Sequence, residues 1–292
     1  MKKIWSVFLI LSLVIAFAAC GGNQKTESQA PAPSETETAQ ESLQETGQET
    51  ASNDAVIETI RSRGYLIAGC KMDVRGLSFY DEASDTWSGL EIEIAYMTAA
   101  KIFQVDINEA KAKNLVKFVG VTVADREEKL ANGDIDVMLA TYTITEARAE
   151  RFALSDSYYK DYIGLMVLYS GDNPNSLGTG EIHSIADLDG KNVGVAKNST
   201  TREDMIEYLN MMNSIKVNPM FFEYSSYTAM FQALKDKTID VMSVDVSILS
   251  NYVDEETQIL GDRFAGQNYG AAVLPENSAL LTYINEAIKD IS

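Results

Sequence analysis

The sequence is poor in the side chains that build metal sites, and it is short of positive charge. It contains one histidine and two cysteines, and its 24 Lys and Arg residues are outnumbered by 43 Asp and Glu residues. The single histidine and the two distant cysteines form no cluster with the spacing of a metal site, so we expect no metal and no cofactor. The net charge of −19 and the lack of a basic stripe argue against a nucleic-acid partner.

The N-terminus has the order of charges and apolar residues that is typical of a secretory signal. Lys2 and Lys3 precede an apolar run from Ile4 to Ala19, which is shorter than the ~20 residues of a bilayer-spanning helix. An uncleaved membrane anchor is the alternative interpretation. Residues 17–23, with the sequence FAACGGN, resemble a bacterial lipoprotein lipobox, although Phe17 stands where Leu, Val or Ile is usual. The resemblance implies that 1–19 is a signal peptide and that Cys20 carries acyl chains such as palmitate.

Residues 20–53 differ in composition from the rest of the chain. They are rich in Ser, Thr, Gln, Glu, Ala and Pro and have very few large apolar side chains. Such a segment cannot bury enough apolar surface to offset the entropy of ordering, so we predict a disordered tether after Cys20. With Cys20 acylated, Cys70 has no disulfide partner, and its apolar surroundings predict a small buried side chain.

From Asp54 onward the patterns of strands and helices alternate, which favours an α/β fold with largely parallel sheets. The pattern predicts helices at 90–103 and 124–131 and strands at 135–140 and 239–243. Two stretches resemble each other: 129–138 reads KLANGDIDVM and 233–242 reads ALKDKTIDVM. The repeat predicts two similar lobes with a ligand cleft beyond the carboxyl ends of their strands.

One long stretch and several shorter ones point to a known family. Residues 140–159 read ATYTITEARAERFALSDSYY, which closely resembles the signature of the family 3 extracellular solute-binding proteins, the polar amino-acid receptors of ABC importers. The resemblance covers 55–290. It includes the stretches RGYL at 63–66, GLEIE at 89–93, IADLDGK at 185–191, VD at 244–245 and QNYG at 267–270.

This resemblance implies a two-lobed periplasmic-binding-protein-like fold (type II), with a mixed, mostly parallel sheet flanked by helices in each lobe. The lobes are expected at 54–160 plus 268–292 and at 166–264, with crossovers near 159–165 and 266–269. Members of the family usually continue to a Lys-Trp ending, whereas this sequence stops at Ser292. An early end of the gene and a fragment are both open explanations.

The α-carboxylate of an amino acid needs hydrogen-bond donors, and the stretch at 140–159 contains them. The planar guanidinium of Arg148 suits a bidentate carboxylate contact. By resemblance, Thr143 adds a backbone N–H and a hydroxyl, and Thr141 offers oxygens to the ammonium. A surface ion pair of Arg148 with Glu146 or Glu150 is the alternative.

The second lobe has its own candidates. Asp245 follows a predicted buried strand, and the resemblance implies that it binds the ligand ammonium; it could also cap the helix that begins at Val246. Thr200 and Thr201 lie at a predicted helix N-terminus, which is a ready anion site. The matching position in the family helps to hold the ligand carboxylate, and we prefer Thr200 to Thr201.

Lys71 and Arg126 are expected to set the specificity. Receptors for aspartate and glutamate resemble this chain in having a Lys and an Arg at these two places, and Tyr269 could add a hydroxyl. We therefore expect an acidic amino acid, glutamate or aspartate, as the ligand. Glutamine, histidine or cystine is the alternative, as is an orientation of Lys71 and Arg126 toward solvent.

Together these observations predict a binding protein and not an enzyme. It is expected to be a monomer, anchored by lipid to the outer face of the cell membrane or periplasmic, which delivers its ligand to an ABC transporter permease. An enzyme similar to cyclohexadienyl dehydratases and a sensor module are the rival hypotheses. Such an enzyme needs a general acid in the cleft, and no histidine lies near any of the cleft motifs.

Overall fold

A computed structural model describes residues 55–169, 182–212 and 216–291. All of them belong to one compact unit, Gln44–Ser292. In chain order the strands are β1 (Leu66–Lys71), β2 (Asp73–Val74), β3 (Ser78–Asp81), β4 (Thr86–Ser88), β5 (Val116–Val121), β6 (Val137–Leu139), β7 (Ala153–Leu154), β8 (Tyr159–Leu168), β9 (Asn192–Ala196), β10 (Met220–Tyr224), β11 (Val241–Asp245), β12 (Thr257–Ile259), β13 (Phe264–Tyr269) and β14 (Ala272–Val273). The α-helices are α1 (55–63), α2 (Leu90–Phe103), α3 (Ile107–Ala112), α4 (Arg126–Ala131), α5 (Glu146–Ala149), α6 (Thr201–Met211), α7 (Tyr227–Lys235), α8 (Val246–Leu249) and α9 (Leu280–Ile291).

The first lobe is built on a sheet with the strand order β5-β1-β6-β14-β7. Strand β1 is parallel to both β5 and β6, whereas β14 is antiparallel to β6 and β7. Because β1 is central, its residues from Leu66 to Cys70 are mostly buried, as is typical of a strand that is covered on both faces. Helices α2 and α9 pack against each other and join the same apolar core. A small antiparallel sheet, β2-β3-β4, lies beside them.

The second lobe is built on a sheet with the order β10-β9-β11-β8-β12. Strand β9 is parallel to β10 and β11, and β8 is antiparallel to β11. Strand β13 pairs antiparallel with β8, from Tyr269 opposite Tyr159 to Phe264 opposite Ile163. These two long strands lie where the chain passes between the lobes.

The repeated sequence IDVM has the same structural role in both lobes. The Asp136 carboxylate accepts the backbone N–H of Ile67 at 2.7 Å, and the Asp240 carboxylate accepts that of Asn192 at 2.8 Å. Each aspartate therefore ties its strand to the start of the central strand of its own sheet. This supports the prediction of two similar lobes.

The predicted element boundaries are close to the observed ones but extend too far at three N-terminal ends. The predicted helix at 124–131 begins at Arg126, because Asp125 accepts the backbone N–H of Thr122 in the preceding turn. The predicted strands at 135–140 and 239–243 are observed as β6 and β11, since the residues just before them form the turns. The helix predicted at 90–103 is confirmed as α2. In the described part of the chain, none of the helices has the length and apolarity that crossing a membrane requires.

Candidate functional site

The residues that the sequence singled out converge where the carboxyl ends of β1 and β6 face those of β9 and β11. Lys71 ends β1, and its Nζ donates a hydrogen bond across the lobes to the Tyr227 hydroxyl. On the opposite side, Asn198 Nδ2 donates to the carbonyl of Ala124 at 2.9 Å. The two lobes are therefore in direct contact around the predicted site.

Thr141 occupies an unusual backbone conformation at the end of β6. Its φ is 47°, which costs a β-branched residue on the order of 1–2 kcal/mol. The conformation is held by Glu91, whose buried carboxylate accepts the Thr141 N–H at 2.6 Å and also the hydroxyls of Ser78 and Tyr158. The turn that the Thr141 backbone makes fixes the direction of the backbone carbonyls that precede Thr143.

Two cations of the first lobe are buried without a carboxylate partner. Arg126 is 2% exposed and Lys71 is 1% exposed, which excludes the solvent-facing alternative. Arg126 Nη1 donates to the carbonyls of Ala140 at 2.6 Å and Thr141 at 3.1 Å, while its buried Nε lacks a hydrogen bond. Across the described residues, no carboxylate pairs with either cation within 4.0 Å. Burial, together with the neighbouring charge of Arg126, lowers the pKa of Lys71 to about 7.

Arg148 is a third buried cation, at 7% exposed. Its Nη1 donates to the Thr143 carbonyl at 2.8 Å, and its Nη2 donates across the lobes to the Asn198 carbonyl at 3.4 Å. Burial and the neighbouring Arg126 lower the pKa of Arg148 to about 10. The surface ion pair with Glu146 or Glu150 is not formed; the nearest carboxylate is that of Glu127, with 3.9 Å between Nε and Oε1.

The second lobe places a carboxylate opposite these cations. Asp245 accepts a hydrogen bond from the Tyr269 hydroxyl at 2.6 Å, and the same hydroxyl lies 3.2 Å from Oδ2 of Asp161. Burial raises the pKa of Asp245 to about 6, although the bond from Tyr269 opposes this shift. Asp245 is the N-cap residue of α8 by position, but its side chain makes no capping bond.

The predicted threonines meet at a buried amide. The hydroxyls of Thr143 and Thr200 both donate to Oε1 of Gln267, at 2.6 and 3.2 Å. Thr200 is the N-cap residue of α6, whereas Thr201 is buried, with 3% of its surface exposed.

A cavity of about 280 Å³ lies next to Lys71 and Tyr227, the two buried groups whose hydrogen bond joins the lobes. Its walls include Lys71 and Asp73 from the first lobe and Ser226 and Tyr227 from the second lobe. A wider groove on the other side includes Arg148 and Thr200. With cations on one lobe and a carboxylate on the other, the site can bind a small zwitterion between two groups of opposite charge.

Comparison with known proteins identifies the family. The sequence profile of the bacterial extracellular solute-binding proteins of family 3 matches residues 66–292. The chain belongs to this family. The profile confirms the resemblance that the sequence motifs indicated, and the family's description places its members outside the cytoplasm.

Named relatives of this family 3 protein are amino-acid-binding proteins of ABC transporters. It is 31% identical over 293 residues to the ABC transporter glutamine-binding protein GlnH of Bacillus subtilis, with 99% of this chain and 92% of the relative covered. It is 22% identical to the glutamate-binding protein GluB of Corynebacterium efficiens, with 81% and 76% covered.

Solved structures confirm the two-lobed fold. An ancestral arginine-binding protein bound to arginine is 28% identical, with a TM-score of 0.62 and coverage of 78% of this chain and 92% of that one. An ancestral amino-acid-binding protein described as a precursor of cyclohexadienyl dehydratase shares the fold at 21% identity, with a TM-score of 0.65 and coverage of 81% and 93%.

Several residues of the family 3 protein's site were not predicted to belong to it. The sequence was not used to assign a role to Tyr227, although a hydroxyl next to the Ser226 cap is a usable signal. Gln267 and Glu91 each lie in a stretch that resembles the family, but neither was given a role from the sequence. Asp161, which is 6% exposed, lies within β8 and carries no local signal.

Other predictions fall outside the site or outside the described residues. Cys70 is fully buried and free, as predicted, and burial raises the pKa of its thiol. The signal peptide, the acylated Cys20 and the tether at 20–53 lie outside the described residues.

Proposed function

We propose that this family 3 protein captures glutamate or aspartate between its lobes and delivers it to a membrane importer. The observation that carries the proposal is the pair of buried cations, Lys71 and Arg126, that lacks a carboxylate partner in the described structure. Buried charges are costly unless they are paired. A carboxylate on the ligand side chain would supply the missing partner.

The rest of the site suits the other two ends of such a ligand. Arg148 binds the α-carboxylate, with help from Thr143 and from the α6 N-terminus at Thr200 and Thr201. Asp245 binds the ammonium, with Tyr269 fixing the orientation of its carboxylate and Thr141 nearby. Closure of the lobes follows from contacts that the ligand makes only when both lobes surround it.

Tyr227 belongs with the side-chain group in this proposal. Its hydroxyl already meets Lys71 Nζ, and the Lys71 Nζ lies 4.2 Å from the centre of its ring. A ligand carboxylate beside Lys71 would therefore accept hydrogen bonds from Lys71 of the first lobe and from Tyr227 of the second lobe.

Glutamine is the second candidate. The GlnH relative is named for glutamine and is 31% identical to this chain, and the lowered pKa of Lys71 allows a neutral amine at this position. A neutral amine can both donate to and accept from an amide, so the same pocket would then suit glutamine.

Isothermal titration calorimetry with glutamate, aspartate, glutamine and histidine separates the two candidates. The proposal expects glutamate or aspartate to bind more tightly than glutamine by at least about tenfold, because hydrogen bonds to charged partners contribute roughly 1.5–3 kcal/mol each. Tight binding of glutamine without either acid would replace the first candidate by the second.

We further propose a monomer that is held at the membrane by acyl chains on Cys20 and acts without catalysis. Mass spectrometry of the membrane-extracted protein checks the modification, since acylation of Cys20 adds the mass of the chains. Incubation with prephenate is expected to form no phenylpyruvate, which checks the enzyme alternative.

A further inference from the structure

Gln267 lies where the two lobes meet, and its amide is bonded to both of them. It is 2% exposed and sits in β13, opposite Asp161 of β8. Its oxygen accepts from Thr143 of the first lobe, and its nitrogen donates to Asp204 of the second lobe at 2.9 Å. No other role described above accounts for this side chain.

The surroundings of the amide fix which end is oxygen and which is nitrogen. Nε2 faces the Asp204 carboxylate and, at 3.1 Å, the carbonyl of Ala265, and both of these groups can only accept. A flipped amide would place oxygen against oxygen at both contacts. Oε1 therefore faces the hydroxyls of Thr143 and Thr200, and both hydroxyls must donate to it.

The hydroxyls of Thr143 and Thr200 come from different lobes but share one acceptor. At 2.6 and 3.2 Å from Oε1, the two hydroxyls are held at one point in this structure. The Gln267 amide thus stabilises the arrangement in which Thr143 and the N-terminus of α6 lie next to each other.

We infer that Gln267 is a positioning residue that couples lobe closure to the alignment of the α-carboxylate donors, an inference that rests on the proposed amino-acid site. Gln267 acts through Thr143 and Thr200 and need not touch the ligand. It favours the closed arrangement before the ligand arrives, which raises the fraction of molecules that are competent to bind.

The first test replaces Gln267 by methionine, which has a similar shape but no amide. Gln267→Met is expected to weaken binding of both glutamate and glutamine roughly tenfold, because the amide that links Thr143 of the first lobe to Thr200 and Asp204 of the second lobe is lost. Unchanged or tighter binding would overturn the inference, and tighter binding would mean that the amide competes with the ligand for the hydroxyls.

Gln258→Met is the matched control. Gln258 lies in β12 of the second lobe, and its buried Oε1 has no hydrogen-bond partner among the described residues. This variant is expected to bind both amino acids like the wild type. An equal loss in both variants would indicate general damage and overturn the specific role of Gln267.

A charge-swap experiment separates positioning from simple packing. Gln267→Glu places a carboxylate against Asp204 and is expected to weaken binding at least as much as Gln267→Met. Adding Asp204→Asn supplies an amide donor to that carboxylate, so the double variant is expected to bind at least about threefold more tightly than Gln267→Glu, although the Ala265 carbonyl still faces an oxygen. Failure of this rescue would contradict the inference.

A ligand-free measurement keeps this inference distinct from the proposed function. Glu128 and Glu203 line the groove between the lobes, so spin labels at Glu128→Cys and Glu203→Cys, in a full-length Cys20→Ser background, report the separation of its walls. Gln267→Met is expected to lengthen the mean label distance without any amino acid present. If the wild type binds none of the amino acids, the proposed function fails while the distance still decides the inference; an unchanged distance overturns it.

Discussion

The two lobes share a scaffold but carry opposite charges where their strands end at the cleft. In each lobe a central strand has parallel neighbours on both sides, and an IDVM aspartate ties one neighbour to it. In each, a glycine of the central strand leaves room for an isoleucine: a Cβ on Gly69 would lie 2.4 Å from Ile135, and a Cβ on Gly194 would lie 2.5 Å from Ile239.

The difference lies beyond the carboxyl ends of those strands. The first lobe ends β1 with Lys71 and contributes Arg126 and Arg148, whereas the second ends β11 with Asp245. The carboxylate of Asp245 accepts a hydrogen bond from Tyr269, while the buried Nε–H of Arg126 has no acceptor among the described residues. Both lobes therefore have the same strand packing but present different charges, which gives the cleft a cationic and an acidic wall.

Removing Arg148 should have the largest effect on the cationic wall. Arg148→Ala is expected to weaken glutamate and glutamine binding by at least about thirtyfold, because both ligands share the α-carboxylate and truncating one partner of a buried charged pair costs about 2–5 kcal/mol. Calorimetry with both ligands measures the loss.

Arg151→Ala is the control for this prediction. Arg151 lies three residues away, its side chain is 58% exposed, and it pairs with Glu127 at 2.7 Å. Exposed pairs contribute little, so its affinity should stay within about twofold of the wild type. An equal loss of affinity in Arg148→Ala and Arg151→Ala would contradict a specific role of the buried Arg148 in binding the α-carboxylate.

Replacing Lys71 should separate the acid from the amide ligand. Lys71→Met is expected to weaken glutamate binding about thirtyfold and to change glutamine binding by less than about threefold, since only glutamate offers a side-chain carboxylate. The midpoint of thermal unfolding should rise, because a buried amine with a lowered pKa is replaced by a well-packing apolar chain.

Lys129→Met provides the comparison for Lys71→Met. Lys129 lines the same cavity but already pairs with Asp125 at 2.9 Å and donates to the Gly120 carbonyl at 2.9 Å. Neither affinity is expected to change by more than about twofold. A parallel loss of glutamate and glutamine in Lys71→Met would place Lys71 outside the side-chain subsite.

The smallest predicted effect is a difference in pH dependence. The pKa of Lys71 is lowered to about 7, so the protonated amine that attracts a side-chain carboxylate is lost as pH rises through 7. The pKa of Asp245 is raised to about 6, so the carboxylate that attracts the ammonium is lost as pH falls through 6. Glutamate affinity should therefore fall on both sides, by at most about tenfold per pH unit.

Glutamine should show only the acidic limb, since it has no side-chain carboxylate. Fluorescence titrations over about three to four pH units that span the two pKa values measure both curves. Lys71→Met should remove the alkaline limb from the glutamate curve. An alkaline limb that persists in this variant would assign it to another group.

The sequence was enough for the fold because the repeated pattern is local. The IDVM repeat and the apolar central strands follow from short-range signals, and the ends of the elements compared above were misplaced by at most two residues, as at Asp125 and at the end of β11. The cations were predicted from the resemblance to family 3 receptors, and Asp245 from its place after a buried strand together with that resemblance. Tyr227 and Gln267 were not assigned to the site, because their roles depend on partners 156 and 124 residues away in the chain.

The position of β14 has a consequence for how the chain is made. Strand β14 lies between β6 and β7 of the first sheet, and α9 packs on α2, yet both come after every strand of the second sheet. During synthesis from the N-terminus, all strands of the second sheet exist before the first sheet can be completed. The lobe whose synthesis begins first is therefore the one that is finished last.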